Sequence, residues 1–408
     1  MRVKMHWAVV VLVASSVLLL GCDKAKNHQG NGDGASRWSR VFGGKENEWG
    51  FSVQQTQDGG YVATGYTYSY GAGSGDVWLV KVDSAGGQTW ARTYGGPLDD
   101  WGYSVQQTSD GGYIVVGLTQ SSGSGNYDAW LVKTDATGSE SWARTYGGAS
   151  ADGGYSVQQT SDGGYILAGY TESFGQGNGD MWLIKTDGNG GLQWSQTYGG
   201  PDREFANSVQ QTTDGGYIIA GCTYSYGAGA GDLWLVRTNG DGDALWTKTF
   251  GGPDGDGISG SAVQRTSDGG FVAASGFTSV MGGRDVWLVR VDANGDTLWT
   301  RTFGGASYDW GHAVWQTSDG GFVVAGGTGS YGAGYRDIWI IRTGPGGDTV
   351  WTRTYGGTGH EFGFGIEQTS DGGYITVGLT ESYGSGNGDL WLVKTDADGD
   401  TLASPGQR

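Results

Sequence analysis

A segment reading Trp-x-Arg-Thr-Tyr/Phe-Gly-Gly, or a close variant of it, recurs seven times, led by Trp38, Trp90, Trp142, Trp194, Trp246, Trp299 and Trp351. The spacing is 52 residues, with a single step of 53. A unit of this length made of short strands cannot bury its apolar faces alone, so each copy must pack on its neighbours. Because all copies carry nearly the same residues, the repeat says much about how the chain folds and little about what it binds.

Each repeat contains four strand-like runs, seen in the second copy as Ser104–Thr108, Tyr113–Thr119, Ala129–Thr134 and Ser141–Tyr146. Helical periodicity is absent after the N-terminal leader. The second and third runs are apolar on both faces, whereas the first and fourth alternate apolar residues with Gln, Thr or Arg, so the middle pair is central and the outer pair forms the edges. Asp-Gly-Gly at Asp58, Asp110, Asp162, Asp214, Asp268, Asp319 and Asp371 joins the first two runs in a tight hairpin, since glycine takes positive φ at little cost. Turns such as Asp292-Ala-Asn-Gly295 join the last two. The unit is expected to be a four-stranded antiparallel sheet.

The ends of the repeat region imply closure. It opens on a lone fourth run, Trp38–Phe42, and finishes on the first three runs of a seventh unit, with Ala403 where the next tryptophan is due. A missing strand at one end matches a spare at the other, and no polar capping repeat is present. The expectation is an all-β, seven-bladed propeller over residues 38–402, closed by the N-terminal strand, with a short tail at 403–408. The stretch Phe322-Val-Val-Ala-Gly-Gly followed by Asp337-Ile-Trp-Ile-Ile and Trp351-Thr-Arg resembles a kelch blade. The pattern Asp-x-x-Gly-x-x-x-Trp, as at Asp292–Trp299, resembles the repeat of pyrroloquinoline-quinone dehydrogenases and of the propeller lipoprotein of outer-membrane assembly complexes. These resemblances imply the fold and no particular chemistry.

At the N-terminus, Arg2 and Lys4 precede an uncharged stretch, Ala8–Leu20, too short to span a bilayer as a helix. It reads as a signal peptide over residues 1–21. Leu19-Leu20-Gly21-Cys22 resembles the lipobox of bacterial lipoproteins, which implies cleavage before Cys22, its lipidation and an envelope location. Residues 22–37 would then be a polar, glycine-rich tether. The remaining cysteine, Cys222, stands where other repeats have tyrosine, leucine or phenylalanine and reads as a core thiol, so no disulfide framework exists. The net charge of −18 becomes −20 once Arg2 and Lys4 leave with the signal, and such a surface repels nucleic acid and anionic headgroups. Membrane association is expected through the anchor alone, and the chain as a monomer.

Most repeated motifs have structural readings. Asp-x-Trp, from Asp76/Trp78 to Asp389/Trp391, occurs in every blade, and a site used seven times over is less economical than packing between sheets. Thr-Ser-Asp-Gly-Gly-Tyr resembles the Asp-box of sialidase-like propellers but lies on a different turn. Asp396-Ala-Asp398-Gly-Asp400 and Asn239-Gly-Asp241-Gly-Asp243 have their glycine at the fourth position, not the sixth of a calcium loop, and read as hairpin turns. A further acid per repeat, Glu48, Asp100, Asp152, Glu204, Asp256, Asp309 and Glu361, is expected to cap loop amides, with Ca2+ at a ring of them as the alternative. No other cofactor is implied.

Local function should lie where the repeat breaks its own rule. The first strand reads Ser-Val-Gln-Gln-Thr in four blades, but Arg265, Trp315 and Glu367 replace a glutamine in the fifth, sixth and seventh. His312 and His360, the only histidines of the repeat region, belong to the last two blades. Arg265, His312, Trp315, His360 and Glu367 therefore form a candidate ligand site at one mouth of the channel; no catalytic residue is assigned. Three functions compete. The favoured one is a non-catalytic envelope lipoprotein binding a protein or glycan partner through loops such as Tyr68-Ser-Tyr-Gly-Ala-Gly73. The others are an enzyme, either a glycoside hydrolase or lyase or a quinoprotein-like oxidoreductase, and a structural spacer at the cell surface.

Overall fold

The computed structural model describes residues 37–257, 260–278 and 283–402. The expected signal peptide, Cys22, almost all of the tether and the tail lie outside the described residues. Within them, twenty-eight strands form seven four-stranded antiparallel sheets. Blade one comprises Glu48–Gln55, Tyr61–Thr67, Asp76–Val82 and Gln88–Tyr94, hydrogen-bonded in that order, and blades two to six repeat the scheme. First strands of successive blades lie side by side, which makes them the innermost ring of a propeller. Each inner strand begins at one face, called upper here, where the loops between blades and between second and third strands gather. It ends at the lower face, among the tight turns.

Blade seven takes three strands from Glu361–Gln368, Tyr374–Thr380 and Asp389–Thr395 and its outer strand from Trp38–Phe42. That strand pairs antiparallel with the third strand, from Trp38 opposite Lys394 to Phe42 opposite Leu390, so the ring closes as the sequence implied. One detail differs from a simple seventh-blade core. The Trp38 indole sits edge-on to Tyr61 of blade one, at 5.6 Å, and donates to the Ser84 carbonyl at 3.0 Å. The closing strand thus completes one blade and seats on the next.

The inner strands start earlier than their alternation suggests: in blade two the strand is Asp100–Gln107 rather than Ser104–Thr108. A bulge between Gly102 and Ser104 adds one residue, resets the alternation and turns Tyr103 toward the axis. Five other blades carry the same bulge, whereas in blade five only Ala262–Arg265 is a regular strand.

Packing between blades explains why the motifs repeat. The Asp-x-Trp indoles are at most 8 % exposed. Trp78, for example, shares a core with Val53 and Tyr61 of its own blade and Leu390 and Leu392 of blade seven. Burying one indole removes roughly 150–250 Å², about 4–6 kcal/mol before entropy is counted. The outer-strand tryptophans meet the Asp-Gly-Gly aromatic of the following blade edge-on at all seven junctions, as in Trp90–Tyr113 and Trp351–Tyr374. Each Asp-Gly-Gly carboxylate also pairs with a buried Lys or Arg of the third strand, from Lys81–Asp58 at 2.9 Å to Lys394–Asp371 at 2.9 Å.

The Gly-Gly doublet has an equally local cause. A Cβ on Gly356 would lie 1.7 Å from Asp337 Oδ1 and 2.6 Å from Glu361 Oε2, so only glycine fits between the two buried carboxylates. The second glycine donates its amide to the second acid, as Gly357 does to Glu361 at 2.9 Å, and this recurs at all seven junctions. The acids expected to cap loop amides do so, from the first residue of the inner strand in six blades and from Asp256, ahead of the strand, in blade five. The Asp396 turn is also a plain hairpin, with Asp396 Oδ1 accepting the amides of Asp398 and Asp400.

Candidate functional site

The lower half of the channel is laced by glutamines. In one belt a glutamine of each blade accepts a backbone N–H of the next: Gln54 from Gln107, Gln106 from Gln159, Gln158 from Gln211, Gln210 from Arg265, and Gln264 from Gln316. A second belt runs the other way, with Gln107, Gln159, Gln211, Gln316, Gln368 and Gln55 accepting from turn residues of the preceding blade. Glu367 replaces a glutamine of the first belt and keeps its function, accepting the Gln55 N–H at 2.6 Å. Trp315 breaks that belt between blades six and seven. Arg265 breaks the second between blades four and five.

Five of the six bulged residues meet around the axis above these belts. Tyr155, Tyr103, Phe51, Phe364 and His312 contact one another in sequence around the ring, with centroids 4.9–5.1 Å apart. Burial among these rings pushes the His312 imidazole down to about 4, so it is neutral at ordinary pH. Burial pushes the Glu367 carboxyl up to about 7, partly offset by the Gln55 amide.

The five residues singled out in the sequence do not converge on one mouth. Trp315 and Glu367 share a level in neighbouring blades, and His312 lies higher in the same strand as Trp315. Arg265 is exposed at the lower rim, at the end of its strand. His360 stands at the upper face, bridged to Arg336 and stacked on Tyr335 at 5.2 Å. An eight-residue strand spans roughly 25 Å, so residues at its two ends open on opposite faces. Broken repetition located the odd residues along the chain but not the face each serves.

The upper face is where blades differ most. Trp49 stacks on Tyr66 and Phe364, and Trp101 leans on Tyr66 and Tyr127. Tyr68, Tyr308 and Tyr335 are exposed around this rim at 37, 49 and 75 %. Arginines lie on the rings: Arg203 over Tyr170 and Phe205, and Arg336 over Trp310 at 4.7 Å and Phe362 at 5.3 Å. Between blades five and six a recess of about 370 Å³ is lined by Thr278, Gly283, Arg284, Tyr308, Trp310 and Arg336. Its sequence signal was available. The residue before each Asp-x-Trp is glycine in blades one, three, four and seven and Tyr127 in blade two, but Arg284 and Arg336 in blades five and six.

The buried acid beside the recess turns away from it. Asp309, between Tyr308 and Trp310, accepts from the Gly305 amide at 2.9 Å and the Ser330 hydroxyl at 2.7 Å. Among the described residues no group of three or more His, Cys, Asp or Glu side chains forms a metal cluster.

No family model matches the chain. An alignment 174 positions long, which covers 36 % of this chain, is 27 % identical to the regulatory protein FlaEY of Caulobacter vibrioides and spans 18 % of that protein's length. Among solved structures, the WD40 domain of Neurospora crassa Pan2 aligns over 88 % of this chain and 99 % of that one, with a TM-score of 0.50 and 11 % identity. Sqt1 of Chaetomium thermophilum aligns over 92 % and 87 % at 0.49 and 12 %. At such identities the Pan2 likeness speaks for the fold alone: the chain is a seven-bladed β-propeller.

Proposed function

We propose that this chain is a non-catalytic binding module of the cell envelope whose upper face takes a glycan. The observation that carries the reading is the contrast between the faces. The lower face repeats its turns and belts, while the upper presents stacked tryptophans and tyrosines with ordered faces, the surface on which sugar rings stack. Arginines held over rings supply donors beside those platforms. Most repeated carboxylates are engaged within the scaffold, by loop amides at the blade junctions or by a buried Lys or Arg of the third strand. Binding of the full chain to a glycan array, with a matched hydrolysis assay, tests the reading. Binding without turnover supports it; bond cleavage, or capture of protein partners only, replaces it.

The envelope location rests on Leu19-Leu20-Gly21-Cys22 and the stretch before it. Mass spectrometry of the processed N-terminus is expected to find a diacylated Cys22; an unmodified terminus elsewhere removes the anchor and leaves the propeller reading intact.

A further inference from the structure

We infer that the recess between blades five and six selects an acidic sugar, one carrying a carboxylate or sulfate on its ring, which rests on the glycan-binding reading above. Three observations meet there. The first is charge: Arg284 and Arg336 both line the recess of a chain whose net charge is −18, at the position where four blades have glycine. Both are half-buried, and an arginine recognises a carboxylate or sulfate through two parallel N–H donors, a fork that a lysine cannot reproduce.

The second is preorganisation. The Arg336 guanidinium lies over the faces of Trp310 and Phe362, and the Arg336 backbone carbonyl accepts the Glu361 amide at 2.9 Å, which anchors the main chain from which it extends. Among the described residues it has no carboxylate partner. A cation held by ring faces keeps its N–H edges for a ligand, and little side-chain entropy remains to be lost on binding. The third is shape. Tyr308 and Trp310 lie nearly parallel, at 15° with centroids 6.0 Å apart, and wall the recess beside the Thr278 hydroxyl. A volume of about 370 Å³ is at the small end of ligand pockets and suits one or two sugar rings, whereas an extended peptide would need a groove. The Asp309 carboxylate, between Tyr308 and Trp310, faces Gly305 and Ser330, and Asp337, next to Arg336, accepts the Ala333 and Gly334 amides, so neither opposes an anion here.

The test titrates the full chain with three tetrasaccharides, followed by tryptophan fluorescence and calorimetry: a galacturonate tetramer, a sulfated galactan tetramer and a neutral galactan tetramer. At least one anionic probe is expected to bind ten-fold or more tighter than the neutral one, with an advantage that shrinks as salt is raised. Which of the two binds tells carboxylate from sulfate. Arg336→Gln is expected to abolish the advantage while leaving the neutral tetramer unchanged, and Arg336→Lys to restore only part of it. Arg284→Gln is an independent variant should Arg336→Gln melt early. Equal binding of neutral and anionic probes, or an anionic preference that survives both variants, overturns the acidic-sugar inference and leaves glycan binding standing. No binding of any array glycan overturns both.

Discussion

At the scale of single residues, the molecule buries acids in two opposite ways, and pH tells them apart. Six aspartates of the Asp-x-Trp set, Asp76, Asp180, Asp232, Asp285, Asp337 and Asp389, are pushed above the usual carboxylate range, first by burial and then by the acid across the Gly-Gly wedge; Asp389 reaches about 6. Glu367 reaches about 7 through burial. For these groups the fold retains protons that the unfolded chain releases as pH rises above about 4, so stability falls through that window. The Asp-Gly-Gly aspartates act the other way. Burial works against Asp58, Asp110 and Asp162, but hydrogen bonds from Thr, Lys and Gly outweigh it and hold them at about 2, so their contribution is lost only as pH drops below about 4. His312 also subtracts stability as pH falls from about 6.5, being one group against seven. The melting temperature is expected to peak on the acid side, near pH 5, and to drop by several degrees toward pH 7.5 in calorimetry. Asp389→Asn should flatten that decline. A midpoint that climbs steadily from pH 5 to 8 would contradict the account.

At the scale of elements, the strand Trp38–Phe42 closes the ring without any covalent link on its far side. It covers the third strand of blade seven and places Trp38 against Tyr61 of blade one, so two blades depend on it. Deleting residues 23–44 is expected to lower the melting temperature and to bring early proteolytic cuts within residues 364–402. A deletion variant that melts with the full chain would show that the closing strand is dispensable. This pairing, between residues more than 340 positions apart, was legible because seven copies of one pattern leave a spare strand and a gap that match. Turns and core positions were legible for the same reason: Asp-Gly-Gly and Asp-x-Trp state the same local physics seven times. The bulges were not. One inserted residue per inner strand changes which side chains face the axis, and alternation read across it misplaces residues such as Tyr103 and His312. The recess was missed for another reason. Arg284 and Arg336 lie at the starts of third strands 52 residues apart, and become a pair only when adjacent blades bring those strand ends together.

At the scale of the whole molecule, the ring is uneven in how its blades are joined at the lower face. Five junctions carry bonds of both glutamine belts, including the one between blades seven and one where the chain ends meet. Of the two belts, the junction of blades six and seven has only the bond that the Ser318 amide donates to the Gln368 side chain, because Trp315 offers no acceptor to the Gln368 amide. Serine hydroxyls accept a further bond at the first four junctions, Ser52 from the Val105 amide through Ser208 from the Val263 amide, but Ala313 stands at that position in blade six. The Gln368 amide is therefore expected to exchange with deuterium faster than its counterparts at Gln107, Gln159 and Gln211. Equal protection at all four would show that the belts do not hold the blades.

The distribution of those bonds sets where such a ring would crack. A closed ring is usually thought weakest where its two ends join, as a hoop is at its buckle. Here the buckle is riveted twice and the hoop is thin one segment away, where the continuous backbone across Gly356–His360 already prevents the parts from drifting off. A transient gap at that place reseals because its sides stay tethered, whereas one at the buckle would let a whole terminal strand peel free. The chain thus keeps its fault line where failure is reversible.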